Sequence, residues 1–218
     1  MLAAVVVASL FSCAPAARVS AVTVEPVTVS VDSTLRATFT RGITFAQFVD
    51  AAVARREGWL RLQREAVVPN ALIARARAVG GSWSLLVIAR DGCGDSMNLV
   101  PYAARLADSV PGLNLRIVSM KDGEAAASTH RTQDGRMATP TFILLDSTGA
   151  DMGCLVELPA PLRQWTDKAR ATLSSDSLHA YRNTFYAKDR GVSLATELVV
   201  MLESARAGTP HCDRLLTR

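Results

Sequence analysis

Cysteine carries the most nucleophilic side chain in this sequence once ionised, and the setting of Cys93 points to reactivity. It stands in Cys93-Gly94-Asp95-Ser96, directly after the turn residues Asp91-Gly92. Residues 96–108 read as a helix with Leu99, Ala103 and Leu106 inward. A sulfur at a helix start meets unpaired backbone N–H groups and the positive end of the helix dipole, and both stabilise a thiolate over a thiol. Ser96 falls on the same first turn, where its hydroxyl is expected to donate to that thiolate. Asp95 opposes it, because a carboxylate near the sulfur disfavours a second negative charge unless it is protonated or turned outward. The chemistry expected of Cys93 is attack on a disulfide or a peroxide-derived sulfur, giving a mixed disulfide. The competing reading is an unreactive, half-buried thiol.

The remaining cysteines are Cys13, Cys154 and Cys212, and the four are separated by 80, 61 and 58 residues. No Cys-x-x-Cys and no metal-ligand spacing occurs, so neither a zinc site nor a dense disulfide framework is expected, and no metal or other cofactor is implied. With Cys13 removed or lipidated, three thiols remain, an odd count that leaves at least one free or paired between molecules. Cys154 reads as a small buried hydrophobe in a strand. Cys212 sits beside His211 in a tail, from Gly208, that reads as mobile. It is either an exposed bystander or a resolving thiol able to swing back to Cys93. His130 reads as a surface or helix-end residue, and Trp59, Trp83 and Trp165 as core.

The elements that must position Cys93 are legible from periodicity and punctuation. Thr44 and Gln47 form a capping box that opens a helix with Phe45, Phe48, Val49, Ala52 and Val53 on its apolar face. Pro69 opens a second helix, through Ala78, and Gly80-Gly81 ends it. Arg55, Arg56, Arg61 and Arg64 recur at helical spacing, as on a solvated face. Trp83 to Ala89 is a continuous apolar run, as in a strand covered on both faces. Leu113 to Met120 alternates as a strand, residues 123–131 read as helical, and Phe142 to Leu145 and Cys154 to Glu157 are two further strands. Pro159 and Pro161 open a helix containing Leu162 and Trp165. Residues 175–206 add one or two more, the last starting at Ser193 and burying Leu194, Leu198, Met201 and Leu202. This order implies an α/β fold whose mixed sheet has parallel strands first and then a hairpin.

Two of these segments carry a resemblance. Cys93-Gly94-Asp95-Ser96-Met97-Asn98-Leu99-Val100-Pro101 resembles the active-site segment of the thioredoxin superfamily, with its Cys-x-x-Cys and a proline five residues later. Thr139-Pro140-Thr141-Phe142 resembles that superfamily's cis-proline loop, which lies beside the reactive cysteine. The two are 47 residues apart with one strand and one helix between them. The core of the resemblance spans roughly residues 80–172. It is also similar to the subgroup with Cys-Gly-Asp-Ser and flanking helices, in which His130-Arg131-Thr132, Gly135-Arg136 and Glu157-Leu158-Pro159 have counterparts. The resemblance implies a thioredoxin-like three-layer fold, a mixed central sheet flanked by helices, with extra N- and C-terminal helices. It further implies Cys93 as nucleophile, Ser96 as its support, Thr139 and Pro140 as the substrate-presenting loop, and Asp95 and Pro101 as outer supports. The sequence departs from the pattern in two ways. Ser96 replaces the resolving cysteine, so the usual two-cysteine cycle cannot run, and Gly92 stands where a tryptophan is common. Resolution would then need a protein thiol, a low-molecular-weight thiol such as glutathione, or Cys212. A non-catalytic module gripping an extended segment in the proline groove is the alternative.

The first residues are different in kind. Leu2 to Phe11 is apolar, too short to span a bilayer and of the length of a signal-peptide core. Ala14-Pro15-Ala16 offers one cleavage site, while Leu10-Phe11-Ser12-Cys13 resembles a lipobox in which Cys13 would be lipidated and anchor the chain to a membrane. A buried N-terminal strand is the competing reading. The expected organisation is a signal peptide over 1–16, a tether or edge strand over 17–42 (interrupted by Pro26), the domain with its helical extensions over 43–207, and a tail over 208–218. Export to the periplasm or cell envelope follows. The composition is ordinary for a globular chain of 218 residues, with 49% apolar and 20% charged residues. A net charge of +4 with no dense Lys/Arg run argues against nucleic acid as a partner.

Overall fold

A computed structural model describes residues 33–212; the proposed signal peptide, Cys13 and the last six residues lie outside the described residues. A five-stranded sheet carries the fold, with strands β1 (Trp83–Ile88), β2 (Leu113–Val118), β3 (Thr141–Leu145), β4 (Asp151–Val156) and β5 (His211–Cys212) in the spatial order β2-β1-β3-β4-β5. β1 pairs parallel with β2 and antiparallel with β3, β3 and β4 form a hairpin, and β4 pairs parallel with β5. The parallel pair requires a crossover, supplied by α5 (Gly94–Ser109), and the mixed sheet is the one the sequence implies.

Side chains alternate across the sheet, and this divides the core in two. Leu85, Val87, Phe142, Leu144 and Leu155 face one layer, with α3 (Arg56–Glu65), α4 (Asn70–Val79), α5 and α9 (Val192–Arg206). Leu86, Ile88, Ile143, Leu145, Cys154 and Val156 face the other, with α1 (Ser33–Arg41) and α6 (Glu124–Thr129). The result is three layers, helix on sheet on helix. Complete burial of each such side chain contributes roughly 1.5–3 kcal/mol before chain entropy is counted.

The capping box at Thr44 forms as expected and starts α2 (Phe45–Ala51). Val53 departs from the expected apolar face: it lies beyond the helix end and is 86% exposed. Residues 33–41 are not the tether or edge strand expected over 17–42. Leu35, Thr38 and Phe39, three and four apart, put one face of a helix onto the sheet, and Leu35 and Thr38 are buried. The tail also differs from expectation, since His211 and Cys212 are strand β5. The close approach of β5 requires a glycine at 153, where a Cβ would lie 2.5 Å from the His211 carbonyl oxygen. Trp59 and Trp83 are buried, whereas Trp165 of α7 (Ala160–Ala169) is half-buried and stacks on Tyr181 of α8 (Ser175–Asp189) at 3.4 Å between ring centroids. Among the described residues no helix is long and apolar enough to cross a membrane.

Candidate functional site

β1 is buried on both faces and delivers the chain at its C-terminal end to a tight turn, after which α5 starts. Cys93 is the N-cap of α5, with extended backbone (φ −81°, ψ 122°). Its Sγ accepts from the Ser96 amide at 3.5 Å and donates to the Thr139 carbonyl oxygen at 3.1 Å. It is the free cysteine among the described residues and is half-buried. The Thr139–Pro140 bond is cis, and the structure brings Cys93 and this loop into contact across 46 positions of sequence. Thr139 and Pro140 are themselves buried. The two contacts at the sulfur act in opposite senses. An amide donating to it favours the thiolate, while donation by the S–H to a carbonyl favours the thiol.

The support expected from Ser96 comes from its backbone, not its side chain. The Ser96 hydroxyl is fully buried and makes no hydrogen bond within the protein. Pro101 lies inside α5 and is buried. The Asp95 carboxylate is held by α8: its Oδ1 accepts from the Tyr186 hydroxyl at 2.6 Å and its Oδ2 from Arg182 Nη1 at 3.1 Å. Burial pushes the Asp95 carboxyl above the ordinary carboxylate range, against the pull of Tyr186 and Arg182. Burial, and after it the facing Asp95 charge, likewise push the Tyr186 hydroxyl far upward. Sequence reasoning missed Arg182 and Tyr186; the available signal was their spacing of four on one helix, which puts both on one face.

A second set of contacts fixes the turn from the N-terminal side. The Asp91 carboxylate accepts from the amides of Val53 (3.0 Å) and Ala54 (2.9 Å), which hold its pKa below the usual range. Trp59 Nε1 donates to the Asp91 carbonyl oxygen and Arg55 Nε to that of Gly92, both at 2.9 Å. The extra helices therefore position the turn that carries the thiol.

Beside Cys93 lies a cleft of about 340 Å³ lined in part by Arg90, Asp95, Met120, Met137 and Thr139. Its far wall is the Arg136–Glu157 pair, 3.0 Å apart, and Arg136 also binds Asp134. Among the described residues no group of His, Cys, Asp and Glu is arranged to hold a metal.

The family profile described as thioredoxin matches residues 42–170. The chain belongs to the thioredoxin family. No curated protein matches it. Among solved structures, this thioredoxin-family chain is similar to a protein described as of unknown function from Pseudomonas aeruginosa, with 20% identity, a TM-score of 0.61, and coverage of 77% of this chain and 96% of that one. It is also similar to an HIV epitope-scaffold, with 19% identity, a TM-score of 0.59, and coverage of 78% and 97%. At such identities these likenesses show the fold alone. Within this thioredoxin fold, two expectations about cysteines need correction. Cys154, though buried as expected, is not a lone small hydrophobe, and Cys212 is not a mobile resolving thiol: the two form a disulfide. That bond belongs to the α1/α6 side of the sheet, whereas Cys93 opens a helix of the opposite layer. His130 is a helix-end residue as read but not a surface one. It is 1% exposed, with Nδ1 2.8 Å from the Ala126 carbonyl oxygen and Nε2 2.9 Å from Asp151.

Proposed function

We propose that this thioredoxin-family protein carries out monothiol thiol–disulfide exchange through Cys93 in the cell envelope. The observation that supports this most is the free, half-buried Cys93 at the N-cap of α5, against Thr139 and lining an open cleft. The Cys93 thiolate attacks one sulfur of a substrate disulfide. A Cys93–substrate disulfide forms, the substrate S–S bond breaks, and the departing thiolate takes up a proton. Because Ser96 offers no second sulfur and Cys212 is already bonded to Cys154, an external thiolate, from a protein or a low-molecular-weight thiol, must attack the mixed disulfide and free Cys93. Thr139 and Pro140 form the edge on which the substrate lies.

Export is supported by the leader-like first residues and by the Cys154–Cys212 bond, since disulfides persist in oxidising compartments. Anchoring through Cys13 is part of the same proposal: Cys13→Ala should release the protein from membranes into the soluble envelope fraction. The second reading, a binding module without turnover, draws on the donation from Cys93 Sγ to the Thr139 oxygen, which favours the neutral thiol. The deciding experiment isolates the protein from its host without reductant and maps adducts by mass spectrometry. Mixed disulfides on Cys93 that vanish in Cys93→Ala uphold exchange. A bare thiol, with oxidised glutathione also failing to modify it in vitro, sinks exchange and favours the module.

A further inference from the structure

We propose that Arg182 and Tyr186 of α8 are positioning residues for Cys93, fixing the Asp95 carboxylate and, through Arg182, offsetting its charge so that it does not oppose the thiolate. The inference rests on Cys93 as the nucleophile. Asp95 lies two residues beyond Cys93 on the first turn of α5 and lines the same cleft. A carboxylate there, only 15% exposed, would act on a neighbouring thiolate through a poorly screening medium. Both of its oxygens are taken, one by the Tyr186 hydroxyl and one by Arg182, whose own side chain is 16% exposed. The other charged groups that bear on Asp95 are Glu157, which raises its pKa, and His179 of α8, which lowers it.

α8 meets the core at one place: of its 15 residues only Tyr186 is buried, with the half-buried Phe185 packed beside it, and Tyr186 also reaches Asp95. It is tied to α7 by the Trp165–Tyr181 stack and to the active turn by the Asp95 contacts. It also lies outside residues 42–170, so the family core does not supply this pair.

The test is the rate at which iodoacetamide, an uncharged reagent, alkylates Cys93 at pH 7. Arg182→Gln should slow it roughly tenfold, the fall in thiolate fraction that one unit of destabilisation produces. Arg182→Lys, which keeps the charge, should recover most of the rate. Asp95→Asn should react at least as fast as wild type, and so should Asp95→Asn/Arg182→Gln. A wild-type rate in Arg182→Gln overturns the proposal. So does a double variant as slow as Arg182→Gln, since Arg182 would then act by packing and not by charge. Should Arg182→Gln fail to fold by circular dichroism, comparing Asp95→Asn with the double variant decides: equal rates uphold the proposal and a slowed double variant overturns it. Alkylation needs no disulfide substrate, so this pattern can hold while exchange fails, and the two failures remain distinguishable.

Discussion

The sulfur of Cys93 and the sulfurs of Cys154 and Cys212 sit on opposite sides of one sheet and have opposite fates. Cys93 opens a helix, where backbone N–H groups are unpaired, and it faces a backbone carbonyl and a cleft that holds no second thiol. Cys154 points from a central strand into the α1/α6 layer and meets Cys212 because β5 pairs in register with β4 at those two positions. One residue type thus yields a candidate nucleophile at a helix start and a covalent staple at a sheet edge. Local geometry decides between them, and the distance between cysteines in sequence does not.

The largest effect should come from erasing the difference. Ser96→Cys places a thiol at a buried position whose amide is 3.5 Å from Cys93 Sγ. On mild oxidation this variant should form a disulfide between Cys93 and the introduced thiol, read as the loss of two hydrogens by mass and of all Cys93 alkylation. Continued full alkylation would mean that the turn holds the two sulfurs apart. Next in size is Cys212→Ser. Opening a bond that spans 58 residues should cost about 2–4 kcal/mol in chemical denaturation, while the Cys93 alkylation rate stays at its wild-type value. A large change in that rate would show that the two sulfur sites are coupled through the sheet.

The contrast also separates what sequence could reveal from what it could not. The capping box at Thr44 and Gln47, the apolar run of β1, and the motifs at Cys93 and Thr139-Pro140 are local patterns, and each of those elements appears where its pattern places it. Helix α1 is legible in the spacing of Leu35, Thr38 and Phe39, although residues 17–42 together read as a tether or edge strand. The Cys154–Cys212 bond and the partners of Asp95 were not legible, because they join residues 58, 87 and 91 positions apart, which only the tertiary fold brings together. His130 is the helix-end residue it reads as, but its burial is not legible for the same reason, its partner Asp151 lying in the next hairpin.

A smaller effect should separate the two regions by their dependence on the N-terminal helices. Asp91→Ala removes the acceptor for the Val53 and Ala54 amides and loosens the turn before Cys93. We expect about 1–2 kcal/mol of destabilisation. Amide exchange should quicken at Gly94 and Ser96, with no change at Cys154, which belongs to the hairpin. Uniform quickening at both places would show that the clamp stabilises the whole domain and not the turn.

The smallest expected effect is one of pH, at the wall of the Cys93 cleft. Asp134 accepts from Arg136 Nε at 2.8 Å, from the Thr132 hydroxyl and from Arg170 Nη1 at 2.7 Å. The Arg136 bond first, and then that of Thr132, holds the Asp134 carboxyl well below the usual carboxylate range. A carboxyl depressed by folding binds its proton more weakly in the native state than in the unfolded chain. Its contribution is therefore complete above the unfolded value, near 3.9, and fades as pH falls through the lower native one. The group is 44% exposed, so solvent screening limits the contribution to at most about 1 kcal/mol. Thermal melts of wild type and Asp134→Asn should differ at pH 7 and converge as the solution is made strongly acidic. The disulfide edge has no part in this network and should lend no such pH dependence. An equal gap at both pH values would show that Asp134 acts by its hydrogen-bonding shape alone, and that its charge does nothing to hold the cleft wall beside Cys93.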